Sequence, residues 1–244
     1  MPRPRLPRLI PAAILALLLP LVLAVPASAQ TYYYYQVVTR PAPAPAPQPV
    51  AARLPWVAPA ASVRYGPFRV LDDQTAALVG ITDARSPAAF RAMLRDYPHL
   101  ARLKFLECPG TYDDRANLAL GRMIRAAGLV TEVPNGGSVR SGAVELVLAG
   151  TSLMIADGAE FAVHAWEDDA GYEATDYAAD SPENRRYLAY YREMGLADPE
   201  GFYAMTNSVH YEDARWLDGV EMRQWIGARA APRLAYLDLG PALN

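Results

Sequence analysis

Residues 143–149, Ala-Val-Glu-Leu-Val-Leu-Ala, limit the fold more than any other stretch of the chain. Only Glu145 interrupts an otherwise apolar run, so a helix here has no face to give to water and must be covered on all sides. A fold with at least two packed layers is required. The flanks add chemistry. Before the helix come the Gly-rich turn Pro134-Asn135-Gly136-Gly137 and Ser141, read as the residue that opens it. A serine at a helix start has its hydroxyl near unpaired backbone N–H groups, where developing negative charge is favoured. After the helix, Phe161-Ala162-Val163-His164-Ala165-Trp166 reads as a buried strand whose alternation puts His164 on the face of Ala162 and Trp166. A histidine in such a strand is either a hydrogen-bonded core residue or a base for the hydroxyl. Twenty-three positions separate Ser141 from His164, room for a helix, a turn and two strand segments that return one side chain to the other. Glu145, one turn after Ser141, is expected to pair with an arginine or to reach the cleft.

The rest of the chain alternates strands and helices. Residues 63–71 and 76–81 read as two strands around the turn Asp72-Asp73-Gln74. Ser86 caps a helix to about Asp96, with Pro87 in its first turn. Residues 103–108 form a short strand ending at Pro109-Gly110-Thr111, and residues 115–127 the next helix, with Leu120, Met123, Ile124 and Ala127 facing the core. A strand at 129–133 leads into the Gly-rich turn. Residues 167–180 are acidic and read as an exposed loop or lid, followed by helices opened by Ser181-Pro182 and Asp198-Pro199. A short helix over 218–226 and a strand over 234–239 close the chain. This order predicts an α/β layered domain.

The N-terminus predicts export. Arg3, Arg5 and Arg8 precede an apolar run at 10–25, and Ala27-Ser28-Ala29 is a small-x-small cleavage site. We therefore expect a signal peptide over 1–29, a tyrosine-rich and Pro/Ala-rich linker over 30–60, and a folded domain over 61–244. The linker holds Pro41-Ala42-Pro43-Ala44-Pro45-Ala46-Pro47, which favours an extended polyproline II spacer. The expected location is periplasmic or secreted, with no stable membrane span after cleavage. Cys108 is the chain's only cysteine, so no internal disulfide can form, and its place at the end of an apolar strand predicts burial. A net charge of −3 with no basic surplus gives no reason to expect a nucleic-acid partner. His99, His164 and His210 lie far apart in sequence and no cysteines pair, so neither a metal site nor a cofactor is expected.

The stretch from Ser141 to His164 resembles the serine-to-histidine segment of the Clp protease proteolytic subunit and the wider Clp/crotonase superfamily. It is closer to predicted periplasmic proteins of that fold, whose serine motif reads Ser-Ala-Cys. The similarity covers about residues 75–228. It implies a Clp/crotonase-like layered fold with repeated ββα units. The family's Asn-Ser-Pro-Gly-Gly loop corresponds to Glu107-Cys108-Pro109-Gly110-Thr111, the nucleophile to Ser141 in Ser141-Gly142-Ala143, and the base to His164. By that resemblance the oxyanion donors are backbone N–H groups at Gly110, Thr111 and Gly142. The departures are Thr111 for the second glycine and Gly142-Ala143 after the serine. Ala214 stands where the third catalytic member aligns, which leaves neighbouring Asp213 as the candidate acid. A serine–lysine dyad, found in some Clp-like peptidases, would need Lys104, the chain's only lysine, which reads as a strand-edge residue. Two functions remain open: an exported serine hydrolase, most plausibly a peptidase acting on a peptide or protein, and a non-catalytic binding or scaffold protein of the cell envelope. Ring assembly is common in the superfamily, which leaves a homo-oligomer open.

Overall fold

The computed structural model describes residues 63–227. The expected signal peptide, the linker and the strand at 234–239 lie outside the described residues. Within them, strands β1 (Val63–Tyr65), β2 (Phe68–Val70) and β3 (Thr75–Val79) form an antiparallel meander. The single strand expected over 63–71 is thus two, folded back at Gly66-Pro67. Helix α1 (Ser86–Asp96) follows, with Arg85 rather than Ser86 at its N-cap. Ser86 Oγ instead accepts from the Asp83 amide at 2.9 Å.

β4 (Arg102–Cys108) is the hub of the sheet. Its first half pairs in parallel with β5 (Val130–Val133), and its last residues pair in parallel with β6 (Ser138–Arg140). The sheet therefore forks. One branch continues from β5 to β7 (Leu153–Ile155), the other from β6 to β8 (Glu160–Val163) and then antiparallel to β9 (Arg215–Asp218). The Gly-rich turn makes the fork possible. A β-carbon on Gly137 would lie 2.9 Å from the Phe105 carbonyl oxygen, so only glycine passes this close to β4.

Helix α2 (Asp114–Ala126) and the six-residue α3 (Ala143–Leu148) pack together, with α3 also against β5 and β6. All six residues of α3 are buried, as the apolar run required. Each buried valine or leucine contributes ~1.5–3 kcal/mol, enough to hold a helix too short to form alone. On α2 the buried residues are Asn117, Leu118, Leu120, Gly121 and Ile124, while Ala127 is exposed. The expected stripe is displaced by one turn toward the N-terminus.

Three helices complete the domain: α4 (Pro182–Glu193), α5 (Pro199–Thr206) and α6 (Gly219–Ile226). Their caps follow the sequence, with Ser181, Asp198 and Asp218 each accepting from a first-turn amide. The result is a mixed α/β fold around a mostly parallel sheet, as expected. Cys108 is fully buried, its thiol donating to the Leu78 carbonyl, and burial pushes that thiol far above its usual range. Among the described residues, no helix is long and apolar enough to cross a membrane.

Candidate active site

Four neighbouring parallel strands, β3, β4, β6 and β8, end at the same edge of the sheet. The residues that follow them are, in turn, Thr82, the loop Gly110-Thr111, Ser141-Gly142, and His164. The registers Cys108↔Val139 and Arg140↔Ala162 set these loops side by side. Adjacent carboxyl ends of parallel strands are where α/β sheets place ligands. Here Thr111, Ser141, Gly142 and His164 line one cavity of about 1120 Å³.

Ser141 does not cap a helix. Its amide donates to Ala162 O at 2.9 Å, extending the β6–β8 ladder by one bond. The chain then breaks out of the strand at φ +50°, the only positive φ at a non-glycine among the described residues. A left-handed serine is strained, and such strain collects at functional positions. Gly142 is the N-cap of α3, and Ser141 O accepts from the Val144 amide at 2.9 Å. Arg140, just before the serine, is paired with Glu107 on β4 and donates to Ser138 Oγ at 2.7 Å. The Ser141 hydroxyl makes no hydrogen bond among the described residues and lines the cavity.

The loop after β4 lies against that serine. Gly110 has φ +136°, and a β-carbon there would fall 2.9 Å from Ser141 Cβ. The positive φ thus sits where the glycine is retained, and Thr111 has an ordinary backbone. Among the described residues, no backbone carbonyl accepts from the amides of Gly110, Thr111 or Gly142. Two of these amides belong to peptide planes pinned through their carbonyls. Gly110 O accepts from the Thr82 amide at 3.0 Å, so the Thr111 N–H points away from Thr82. Ser141 O is held by Val144, so the Gly142 N–H points away from the helix.

His164 follows β8 by one residue and is half-buried. Its Nδ1 lies 2.8 Å from the carbonyl oxygen of Ala165. A carbonyl only accepts, so Nδ1 carries a proton, and in the neutral ring the lone pair is on Nε2. The ring edge meets Tyr211 with centroids 5.1 Å apart. No hydrogen bond joins His164 to Ser141. Asp213 is exposed, does not line the cavity, and its amide donates to His210 O at 3.0 Å. The structure therefore brings together Gly110, Thr111, Ser141, Gly142 and His164, and leaves Asp213 apart.

Glu145 is 8% exposed and lines the cavity. The arginine partner anticipated for it is not among the described ion pairs. Its Oε1 accepts from Tyr191 OH at 2.7 Å, while burial, partly offset by that bond, pushes its carboxyl up to about 7. Tyr190 OH donates to the Glu145 carbonyl at 2.6 Å, and Tyr187 OH to Asp114 at 2.6 Å. Tyr187 and Tyr191 of α4 thus combine core packing with the cavity wall, while Tyr190 is core alone. Lys104 pairs with Glu132 at 3.3 Å and does not line the cavity. No His/Cys/Asp/Glu group able to hold a metal ion occurs among the described residues.

The acidic segment read as a loop or lid is anchored. It contains one 3₁₀ turn (Ala174–Asp176) and a bridge between Glu167 and Glu173. Asn184 donates to the carbonyls of Ala174 and Ala178 at 3.1 and 2.9 Å. Glu173 accepts from the Tyr211 amide at 2.7 Å and lies 3.0 Å from His210 Nδ1. Its carboxyl is lowered mainly by the Tyr211 amide, and the His210 imidazole is raised mainly by Glu173.

Sequence reasoning missed Thr82 and Asn117, 1% and 2% exposed. Asn117 Nδ2 donates to Gly142 O at 2.6 Å, and Thr82 Oγ1 donates to Asn117 Oδ1 at 2.9 Å. The available signal was the position of Asn117, which begins the buried stripe of α2.

No family model matches the chain. No curated protein matches it. Among solved structures, the chain is similar to a mutant of ClpP1 from Listeria monocytogenes, at 15% identity and TM-score 0.47, over 64% of this chain and 88% of that one. Two mutants of the 1510-N membrane-bound stomatin-specific protease, one in complex with a substrate peptide, are also similar. Their identities are 15% and 14%, their TM-scores 0.44 and 0.39, with 66% and 67% of this chain and 79% and 77% of those chains covered.

Proposed function

We propose that this chain is an exported serine hydrolase of the peptidase class, with Ser141 as nucleophile and His164 as general base. One observation carries the reading: the untethered hydroxyl of a strained serine faces the same cavity as an imidazole and stands beside unpaired main-chain amides. In the proposed reaction His164 Nε2 takes the proton of Ser141 Oγ as it attacks the substrate carbonyl. The Thr111 and Gly142 amides, with Gly110 beside them, receive the oxyanion. His164 then protonates the leaving amine, and water hydrolyses the acyl-serine by the same steps. The Ala165 carbonyl takes the orienting role assigned to an acid in triads, which accounts for a working tautomer without Asp213. Export rests on the pattern of Arg3, Arg5, Arg8 and Ala27-Ser28-Ala29.

A second reading, a non-catalytic binding protein of the cell envelope, is favoured by the absence of a Ser141–His164 hydrogen bond among the described residues. That bond is often long before substrate arrives. A fluorophosphonate probe decides between the two. Labelling of the folded protein at pH 7–8 that disappears in Ser141→Ala is expected, and its absence in folded wild type leaves only the binding protein.

A further inference from the structure

We infer that Thr82 and Asn117 are positioning residues that set the two walls of the oxyanion pocket against each other. This rests on the hydrolase reading above. The two amides proposed to hold the oxyanion come from different loops, one after β4 and one after β6. A pocket made from two loops works only if their spacing is fixed, because a displacement of about 1 Å can cost 10²-fold in rate. Each loop is held by its carbonyl. Thr82 N–H holds Gly110 O at 3.0 Å, and Asn117 Nδ2 holds Gly142 O at 2.6 Å. The two holders are joined by the Thr82 hydroxyl, which gives its single proton to Asn117 Oδ1 at 2.9 Å, while its contact with Gly110 O is longer, at 3.4 Å.

The chain of bonds Gly110–Thr82–Asn117–Gly142 is therefore continuous, buried between Thr82 and Asn117 and part-buried at Gly142. Both Asn117 amide atoms have partners, which fixes its orientation. Two further bonds brace the Thr82 end: Tyr112 N–H donates to Thr82 O at 2.9 Å, and Thr111 Oγ1 to the same oxygen at 3.3 Å. A helix interior gains nothing from a buried asparagine unless its polar atoms are used, since an unpaired buried amide is destabilising. Here every bond it makes leads to an oxyanion wall. Asn117 also lines the cavity, and the Thr82 hydroxyl reaches Gly142 only through it.

The test follows inactivation of the full-length protein by a fluorophosphonate probe, separating the maximal inactivation rate from the probe concentration at half-maximal rate. Asn117→Ala is expected to lower the maximal rate about 100-fold, and Thr82→Val about tenfold, with the half-saturating concentration within about twofold of wild type. Thr82→Ser, which keeps the hydroxyl, is expected to restore the wild-type rate. A folded Asn117→Ala or Thr82→Val that reacts at the wild-type rate, or one that changes only half-saturation, overturns the inference. Should Asn117→Ala fail to fold, the Thr82→Val and Thr82→Ser pair decides by itself. A wild type that does not react at all is a different outcome, in which the hydrolase reading fails and this inference fails with it.

Discussion

On the serine side of the cavity, Thr82 and Asn117 are 1% and 2% exposed and bond to each other, to main chain and to the Thr111 hydroxyl. On the histidine side, the Glu173 carboxylate holds Tyr211, and His210, whose side chain is 80% exposed, bonds to the same group. The first side is a strained backbone locked by desolvated polar bonds. The second is an ionic clasp open to water and ions, where screening weakens each contact. The contrast assigns different tasks: one wall has geometry that must not move, while the other holds a ring whose loop can respond to pH.

The largest expected effect concerns the buried carboxylate on the serine side. With a folded pKa of about 7, Glu145 binds its proton more tightly than in the unfolded chain, so its contribution is complete below the ordinary carboxylate range and is lost as pH rises through 7. Glu145→Gln should therefore match wild type in unfolding free energy at pH 4 and exceed it at pH 8, by up to about 3 kcal/mol from the shift. A gap that does not widen with pH refutes the burial argument. Gly110→Ala comes next. It places a β-carbon 2.9 Å from that of Ser141 at φ +136°, and should destabilise by about 2 kcal/mol and abolish probe labelling. Chemical denaturation and labelling measure the two losses together.

Ser141→Gly should show the strain directly. Relief of φ +50° is expected to raise stability by about 1 kcal/mol while labelling is lost, whereas Ser141→Ala loses labelling without that gain. Equal stabilities would place no strain at the serine. On the histidine side, Glu173→Ala should slow labelling only severalfold and lower the His210 pKa in an NMR titration. His210 is raised, so its part of the clasp is complete below the ordinary histidine range and fades as pH rises through the raised one. Glu173 is depressed, so its part fades as pH falls through the lowered value. An unchanged His210 titration would dissolve the clasp. Smallest of all, Asp213→Asn should leave labelling unchanged and stability within about 0.5 kcal/mol. A large loss would restore Asp213 as the acid and undo the role given to Ala165 O.

Much of the architecture was legible in the chain. The apolar run of α3 required burial on all sides, and Ser181, Asp198 and Asp218 marked helix starts because a side-chain oxygen beside free amides is a local effect. Strands β6 and β9 were invisible, since neither is an apolar run like β8 and both depend on ladder partners. Arg85 in place of Ser86 at the N-cap of α1 and the displaced stripe of α2 are shifts of one residue and one turn, within the usual reach of tertiary packing.

The site divides along the same line. Residue order alone singled out Ser141 and His164, because a lone serine beside a buried helix and a lone histidine after an apolar strand contrast with their neighbours. It could not fix the left-handed turn at Ser141, the bond from His164 to Ala165, or the bridge from Thr82 to Asn117. Those depend on which parallel strands lie adjacent, and residues 35 positions apart meet only when the sheet sets their loops side by side. Local propensity is written in the polymer, whereas hydrogen-bond partners across strands are chosen by the assembled core.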